Sequence, residues 1–307
     1  MSHNRTCEFL PLTGIFEPSG IQQLGDGRFL VAEDEKQHPF SLVSISAVGQ
    51  VTSTPLIPGL QDDEIFWKLD DLEAVALDQS GYLYAITSHS RNEDGEEKKS
   101  REKLLRFRIE NNRMTAPMLF RGLKTALIAA HPDLASAAEI LDVKNDGGLN
   151  IEAMEISPEQ QHLLIGFRSP LLDKHAIIAR IENPAAMFED GALPHVSATL
   201  TRLDLGGHGL RSMSYLPALN GYLLISGPVA REQAQFQLWF WSGLQTKAAR
   251  RITIPGLHGF EHAEGISAAV IDDRQCIIIV SDDGSREEGR FARFLLLDLD
   301  QLQIAPD

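Results

Sequence analysis

Acidic residues recur at one position of a repeated motif, and this recurrence is the sequence's main indication of chemistry. Three copies of the motif place a glutamate near the start of a β-rich run: Glu73, Glu152 and Glu264. A fourth copy has Arg211 at the matching point. Carboxylates held close together repel one another, which raises their pKa values unless a cation lies among them. The pattern therefore predicts either a cation site or a set of internal ion pairs.

Each copy of the motif consists of two β-rich runs joined by a turn that contains Gly, Asn, Asp or Pro, which is typical of a β-hairpin. Five copies can be aligned, and their matching positions are Gln22, Glu73, Glu152, Arg211 and Glu264. A third β-rich run follows every copy, and a fourth follows all but the last. This arrangement predicts an all-β protein, a single β-propeller of about five four-stranded blades, with six blades as the alternative.

The two ends of the chain and one long gap between copies complete this predicted architecture. The last copy ends before it can form a fourth strand, and the N-terminal run Thr6–Thr13 is expected to supply it, which would leave no exposed sheet edge there. The gap between the second and third copies holds an insertion at about 124–148, whose Ala-rich composition predicts short helices. Residues 1–307 are expected to form one domain.

Propeller geometry adds an expectation that the linear motif does not show. The start of each first run and the end of each second run belong to one hairpin, so both lie on the same rim of the ring. The ends of the second runs carry Glu33, Asp34, His89, Arg168, Asp282 and Asp283. We expect these residues and the recurring glutamates to converge at one mouth of the central channel.

The leading functional hypothesis is a metal-assisted hydrolase that acts on a small phosphorylated or ester substrate at this mouth. In that hypothesis the metal is Ca²⁺ or Mg²⁺, and the residues that hold it are Glu73, Glu152, Glu264 and Asp282. Arg168 and Arg211 would bind the anionic substrate, and His89 would act as an acid or base.

Two other hypotheses remain open. The protein would be a non-catalytic propeller that binds a small anionic molecule or a partner protein, without any cofactor. Alternatively, Arg168 and Arg211 would neutralise the carboxylates as internal salt bridges, and the charged ring would be purely structural.

Composition excludes several other classes of function. The sequence has 43 acidic and 28 basic residues, a net charge of −15, which disfavours binding to nucleic acid or to an anionic membrane surface. Its two cysteines are too few for a disulfide framework or a zinc site. The N-terminus lacks the apolar stretch of a secretory signal, so a cytoplasmic location is expected. His258 and His262 lie in a glycine-flanked loop, where we expect a structural role.

Three sequence motifs resemble those of a known family. They are Asp71-Leu72-Glu73, Gly148–Glu152 together with Ile165–Pro170, and Leu205–Arg211. They are similar to the bacterial propeller family catalogued as domain of unknown function 3616, and the resemblance spans residues 20–298. A glutamate that opens each inner strand is also similar to esterase-like phytase propellers, in which glycine tends to follow the glutamate. Here only Glu264-Gly265 keeps that glycine, so the resemblance implies the propeller fold and no established reaction.

Overall fold

Five antiparallel β-sheets form the five blades of a propeller, which confirms the predicted fold class. The computed structural model of the protein describes residues 7–34, 38–57, 68–230, 235–257, 259–260 and 262–306. The innermost strands of neighbouring blades contact one another around a complete ring.

The innermost strand of each blade lines the channel, and its neighbours follow outward. Blade 1 contains, from the channel outward, β2 (Pro18–Gln23), β3 (Phe29–Glu33), β4 (Phe40–Ile45) and β5 (Val51–Pro55). Blade 2 contains β6 (Leu72–Leu77), β7 (Leu83–Thr87), β8 (Leu104–Glu110) and β9 (Arg113–Phe120). Blade 3 contains β10 (Asn150–Ile156), β11 (Leu163–Ser169), β12 (Ala176–Ile181) and β13 (Thr201–Leu203). Blade 4 contains β14 (Gly209–Leu216), β15 (Gly221–Gly227), β16 (Gln237–Trp241), β17 (Arg250–Thr253) and β21 (Gln303–Ile304). Blade 5 contains β18 (Ala263–Ile271), β19 (Arg274–Ser281), β20 (Arg293–Asp298) and β1 (Leu10–Pro11).

The chain ends close the ring, as the strand count predicts. Strand β1 pairs antiparallel with β20, with Leu10 opposite Phe294, and supplies the fourth strand of blade 5. The neighbouring Leu12 donates a backbone hydrogen bond to Ala292 (2.7 Å). Strand β21 adds a fifth strand to blade 4 by pairing with β17, which the sequence pattern does not predict.

Helices are few and short. The helical insertion (residues 121–149) contains α1 (Leu123–Ala130), α2 (Pro132–Ala138) and α3 (Val143–Asp146), which confirms the predicted insertion between blades 2 and 3. A fourth helix, α4 (Pro184–Glu189), lies between β12 and β13, and 3₁₀ turns occur at Lys99–Arg101, Pro217–Leu219 and Leu299–Gln301. Among the described residues, none of the helices is long and apolar enough to cross a membrane.

The apolar core lies between the blades. The inner strands are covered on both faces, and β11, for example, is buried at every position. Five clusters of buried apolar side chains each fill the space between two adjacent blades, and the cluster between blades 2 and 3 also includes side chains of α1 and α2. Burial of this apolar surface is the main force that holds the ring together.

Polar side chains also join neighbouring inner strands. The Ser212 hydroxyl accepts a hydrogen bond from the backbone N–H of Ile266 (3.2 Å) in the next blade. The buried Glu155 carboxylate accepts one from the N–H of Tyr215 (2.8 Å). The same kind of bond joins Ser214 to Ala268 and Ser267 to Gln23. These bonds satisfy backbone donors on strand edges that face the channel, where the blades come closest together.

Candidate functional site

Each inner strand contains a β-bulge near its first residue, and the bulged residue lines the channel mouth. In blade 2 the pairing passes from Leu72–Thr87 to Ala74–Ile86, so that Glu73 has no partner in the ladder. A bulge of this kind turns one side chain away from the regular alternation, and bulges are frequent beside active sites. The five bulged residues are Ser19, Glu73, Glu152, Arg211 and Glu264. All five line one cavity of about 610 Å³.

One member of this ring differs from the sequence alignment. The alignment matches Gln22 to the glutamates, but Gln22 pairs regularly with Leu30, and Ser19 occupies the bulge of blade 1. A small residue follows each bulge, and this pattern would have identified Ser19 as the residue of blade 1 that matches the glutamates. A Cβ atom on Gly20 would lie 3.2 Å from the Cα atom of Ala74, because the inner strands converge at this point. The residues after the bulges are Gly20, Ala74, Ala153, Ser212 and Gly265.

The cavity extends from the channel mouth to two segments outside the blades. One is the loop between β7 and β8 (the 88–103 loop), which contributes residues 90–95 and Arg101. The other is the end of the helical insertion, which contributes residues 141–145. The sequence does not predict that the insertion reaches the site, because its position depends on how α1 and α2 pack against blades 2 and 3.

Ion pairs occupy the centre of the cavity. Arg211 Nη1 lies 3.0 Å from a carboxylate oxygen of Glu152 and 3.0 Å from one of Glu264. Arg168 Nη1 donates to the other oxygen of Glu152 (3.2 Å), which also accepts a hydrogen bond from Asn150 (2.9 Å). The salt bridges that the sequence leaves open as an alternative to a metal are therefore present.

Backbone carbonyls and one glycine hold the two arginines in place. Arg168 Nε donates to the carbonyls of Pro228 (3.2 Å) and Val229 (3.1 Å), and Arg211 Nη2 donates to that of Pro228 (3.3 Å). A Cβ atom on Gly209 would lie 1.8 Å from the Arg168 carbonyl oxygen, so no larger residue fits there without movement of the backbone. The start of β14 therefore packs directly on the end of β11 and brings the two arginines together.

Two carboxylates at the cavity have no such partners. The side chains of Glu73 and Asp282 form no hydrogen bond or ion pair with any residue that the structure describes. Burial raises the pKa of Glu73 well above its usual range, and the nearby charge of Glu152 adds to the rise. Burial likewise raises the pKa of Asp282 to about 6, with repulsion from Glu17 as the next cause.

The pKa values of two further carboxylates are raised at the same mouth. Burial raises the pKa of Glu264 to about 8, with Asp282 adding to the rise and Arg211 opposing it. Burial and the charge of Asp71 raise the pKa of Asp34 to about 6. Strongly shifted carboxyl groups in a cleft are a feature of functional sites, although ion-pair networks shift pKa values too.

The cavity wall has a net negative charge, and each of its described basic side chains is bonded to another residue. Ten acidic residues and five basic residues line it. Arg101 binds Asp70 (3.2 Å) and Asp71 (2.9 Å), and Lys144 lies 3.7 Å from Glu93. Arg91 donates to two backbone carbonyls. With Arg168 and Arg211 paired as above, each described basic residue of the wall already has an acidic or carbonyl partner.

His89 does not lie on the cavity wall. It is buried, its Nδ1 atom shares a hydrogen bond with the carbonyl of Thr87 (2.8 Å), and burial lowers its pKa to about 4. Its backbone has a positive φ of 56°, so the chain changes direction where β7 ends. The geometry therefore lends no support to His89 as an acid or base at the mouth. His258 lies outside the described residues.

The predicted metal ligands come together at the mouth but do not form a ready metal site. Glu73, Glu152, Glu264 and Asp282 all line the cavity. Within the described ranges, no three His, Cys, Asp or Glu side chains are placed to hold a metal ion. Both carboxylate oxygens of Glu152 already bond to arginines. A metal ion at this mouth would need side chains to move, and we derive no chemical step from one.

Known proteins resemble this chain in fold. A glucose dehydrogenase is 13% identical with a TM-score of 0.50, and the match covers 94% of this chain and 99% of that one. A family 43 glycoside hydrolase, a β-1,3-galactosidase with galactodeoxynojirimycin, is 9% identical with a TM-score of 0.50 over 96% and 98% of the two chains. A gluconolactonase from Xanthomonas campestris is 12% identical with a TM-score of 0.42 over 97% and 86%. At these identities the likeness shows the fold alone.

Sequence comparison gives the family. No curated protein matches the sequence. A family model does match, over residues 121–294, and it is described as a protein of unknown function (DUF3616). The matched part is more than half of the chain and includes the bulges of blades 3, 4 and 5. The chain therefore belongs to the DUF3616 family.

Proposed function

We propose that the propeller binds a small, positively charged ligand in the cavity at its channel mouth. The observation that carries this proposal is the imbalance of partners on the cavity wall. Each described basic residue there is engaged, whereas Glu73 and Asp282 have carboxylates that no described residue pairs. Burial raises the pKa values of both groups because their ionised forms have no partner, and a cation that entered the cavity would supply one.

The same imbalance works against the anionic ligand that the sequence predicts. An anion would meet a wall with twice as many acidic as basic residues. The Nε atom of Arg211 has no acceptor among the described residues, but an anion at Nη1 would displace Glu152 or Glu264, and removing one partner from a buried ion pair costs about 3–5 kcal/mol. A cation avoids that cost because it binds without separating the existing pairs.

The size of the cavity favours an organic cation over a bare metal ion. A volume of about 610 Å³ is within the range of small-molecule sites, roughly 300–1,000 Å³. An ammonium or guanidinium group requires hydrogen-bond acceptors, which the wall presents in excess. Ca²⁺ and Mg²⁺ need several oxygen atoms at short, fixed distances, and the described carboxylates are not arranged in that way. Because Ca²⁺ and Mg²⁺ are also small cations, the binding experiment includes them beside the organic cations.

Titration calorimetry and thermal melting test this proposal with simple cations: CaCl₂, MgCl₂, ethylammonium chloride and guanidinium chloride at low concentration. A ligand that binds only the folded state stabilises it by about 2.7 kcal/mol at one hundred times its Kd. We expect binding by the wild type and its loss in Glu73→Gln and Asp282→Asn. Glu110→Gln, which changes an exposed glutamate at the end of β8, is the matched control. Equal binding by all four proteins, or by none, would contradict the proposal.

A second candidate function, an esterase or phosphoesterase, is favoured by the different surroundings of two neighbouring carboxyl groups. Glu264 has a pKa of about 8 and can donate a proton near neutral pH, whereas Glu152 is held by two arginines. Paired carboxyl groups in contrasting environments are a common basis of general acid–base catalysis. The resemblance to esterase-like phytase propellers adds phosphate esters to the substrates worth testing.

Hydrolysis of chromogenic carboxylic and phosphate esters, with Ca²⁺, with Mg²⁺ and with chelator, tests this candidate. Loss of a general acid lowers the rate about 10²–10⁴-fold. We expect a loss of that size in Glu264→Gln and none in Glu110→Gln. Turnover that is equal in the two variants would show that Glu264 is not the acid.

A further inference from the structure

Ten acidic residues line the cavity, and seven of them form two groups, one on the propeller blades and one on the segments outside the blades. The inner group lies on the inner strands and the ends of the hairpins, at the channel mouth, and consists of Asp34, Glu73, Glu264 and Asp282. The outer group lies on the 88–103 loop and beside α3, and consists of Glu93, Asp94 and Asp142. A single cavity therefore has negative charge both at its floor and at its outer lip.

The inner end also presents an unused hydrogen-bond acceptor. Asn150 lines the cavity and is only 5% exposed. Its Nδ2 atom donates to Glu152 (2.9 Å), which leaves Oδ1 as the free atom, and no described group donates to Oδ1. A buried acceptor without a donor is unfavourable, and an ammonium or guanidinium N–H would satisfy it once the Asn150 side chain turns to expose Oδ1 to the cavity. This acceptor is independent of the carboxylates and points to the same kind of ligand.

The outer lip is held in place by contacts between its two segments. Arg91 in the 88–103 loop donates to the carbonyl of Ala138 in the insertion (3.0 Å). Lys124 in α1 binds Glu97 and Glu102 of that loop, both at 3.0 Å. These contacts therefore fix the position of the lip carboxylates relative to the channel mouth.

The lip also offers apolar surface between the charges. Leu141 lines the cavity and is 62% exposed. Asp142 accepts a hydrogen bond from the N–H of Asn145 (3.1 Å) and caps α3. A methylene chain could pack against Leu141 while a charged group at its end lies beside Asp94 and Asp142.

From this arrangement we infer that the ligand is a linear dication, such as an α,ω-diamine or a bis-guanidine, with one cationic group at the channel mouth and the other at the lip. The inference rests on the proposed function and names its ligand class. The inner group binds the first cation in a buried setting, where attraction is strong. The exposed lip carboxylates bind the second cation more weakly and in a salt-dependent way.

Calorimetric titration with two homologous series tests the inference: α,ω-diaminoalkanes and n-alkylamines of the same chain lengths. We expect one chain length at which the diamine binds about two- to fivefold more tightly than its monoamine, because exposed carboxylates contribute modestly to an ion pair. Added salt should reduce that advantage.

A double variant, Asp94→Asn/Asp142→Asn, removes two of the three lip carboxylates and leaves the channel mouth unchanged, while Glu93 keeps its ion pair with Lys144. Asparagine also caps helices, so the cap of α3 is kept. The variant should lose the advantage of the diamine and bind the monoamine as the wild type does, and Glu110→Gln should change neither. Diamines and monoamines that bind alike at every length would overturn the inference and leave the cation-binding function intact. No binding of either series, or of the simple cations, would overturn both.

Discussion

Replacement of Arg211 by methionine should destabilise the protein strongly, because this side chain neutralises two carboxylates at once. Arg211 is buried and lies 3.0 Å from both Glu152 and Glu264. Methionine keeps much of the apolar volume but leaves the carboxylates without this partner. Removing one partner of a buried ion pair costs about 3–5 kcal/mol, so we expect a loss of that size in the free energy of unfolding at about pH 9, where Glu264 is ionised in the wild type.

The loss should be smaller at acidic pH. Without Arg211 the folded-state pKa of Glu264 rises further above that of the unfolded chain, because Arg211 lowers it more than Arg168 does. A carboxyl group with a raised folded pKa contributes its stability at low pH and loses it as pH rises. Between about pH 5 and 7 Glu264 is protonated in both folded proteins, so the difference between wild type and variant should be smaller there and should grow as pH rises through about 8 and above.

Urea unfolding followed by tryptophan fluorescence measures these differences. Arg202→Met is the matched control, because Arg202 forms an equally short ion pair with Asp173 (3.0 Å) on the surface, and exposed pairs contribute at most about 1 kcal/mol. The double variant Arg211→Met/Glu264→Gln should recover part of the loss, since it removes one of the unpaired charges. A cost of Arg211→Met no greater than that of Arg202→Met, or equal at about pH 6 and about pH 9, would refute this role of Arg211.

Three further predictions concern the whole fold. The folded pKa is about 8 for Glu264 and about 6 for Asp282, above their ordinary values of 4.5 and 3.8, so both groups should lower the melting temperature as pH rises through the folded values. The folded pKa of His89 is about 4, below its ordinary value of 6.5, so His89 should lower the melting temperature as pH falls below about 6.5. Because the two carboxyl groups together outweigh the single histidine, calorimetric scans should show a melting temperature that falls as pH rises from about 5 to 8, and one that rises steadily over that range would contradict these shifts. Gly209→Ala should cost about 1–3 kcal/mol in a denaturant titration, because the added Cβ atom meets the backbone of β11, and a neutral result would show that the contact relaxes freely. Leu12→Ala should cost about 2–5 kcal/mol, because this fully buried side chain follows the closing strand β1, and an unchanged unfolding midpoint would mean that the N-terminal segment contributes little to closure.

The blade count could be predicted because hairpins repeat visibly in the sequence. Closure by the N-terminal run followed from a count of strands, since the last copy lacked one. Strand β21 could not be predicted, because two residues without a hairpin turn carry no periodic signal. Its pairing depends on the blade 4 edge that happens to lie beside the C-terminus.

The candidate site was predictable in outline and not in detail. Glu73, Glu152 and Glu264 stand out as repeated acids, but Ser19 does not, because blade 1 has no acid at its bulge. His89 and Arg168 both lie near the end of a second strand, but His89 follows β7 with a φ of 56° and lies off the cavity wall, whereas Arg168 lies within β11 and lines the cavity. The pairing of each carboxylate depends on which side chains reach it across the channel. The spacing of residues along the chain does not determine this pairing.

The most direct test of cation binding is a calorimetric titration of the wild type and of Glu73→Gln/Asp282→Asn with a diaminoalkane and with CaCl₂, in two buffers of different ionisation enthalpy. We predict that the wild type binds at least one of the two, and that it releases protons near pH 7 because the pKa values of Glu73 and Glu264 are raised. We predict no measurable binding by the double variant. Equal affinity in the two proteins, or no binding by the wild type, would contradict cation binding at the channel mouth.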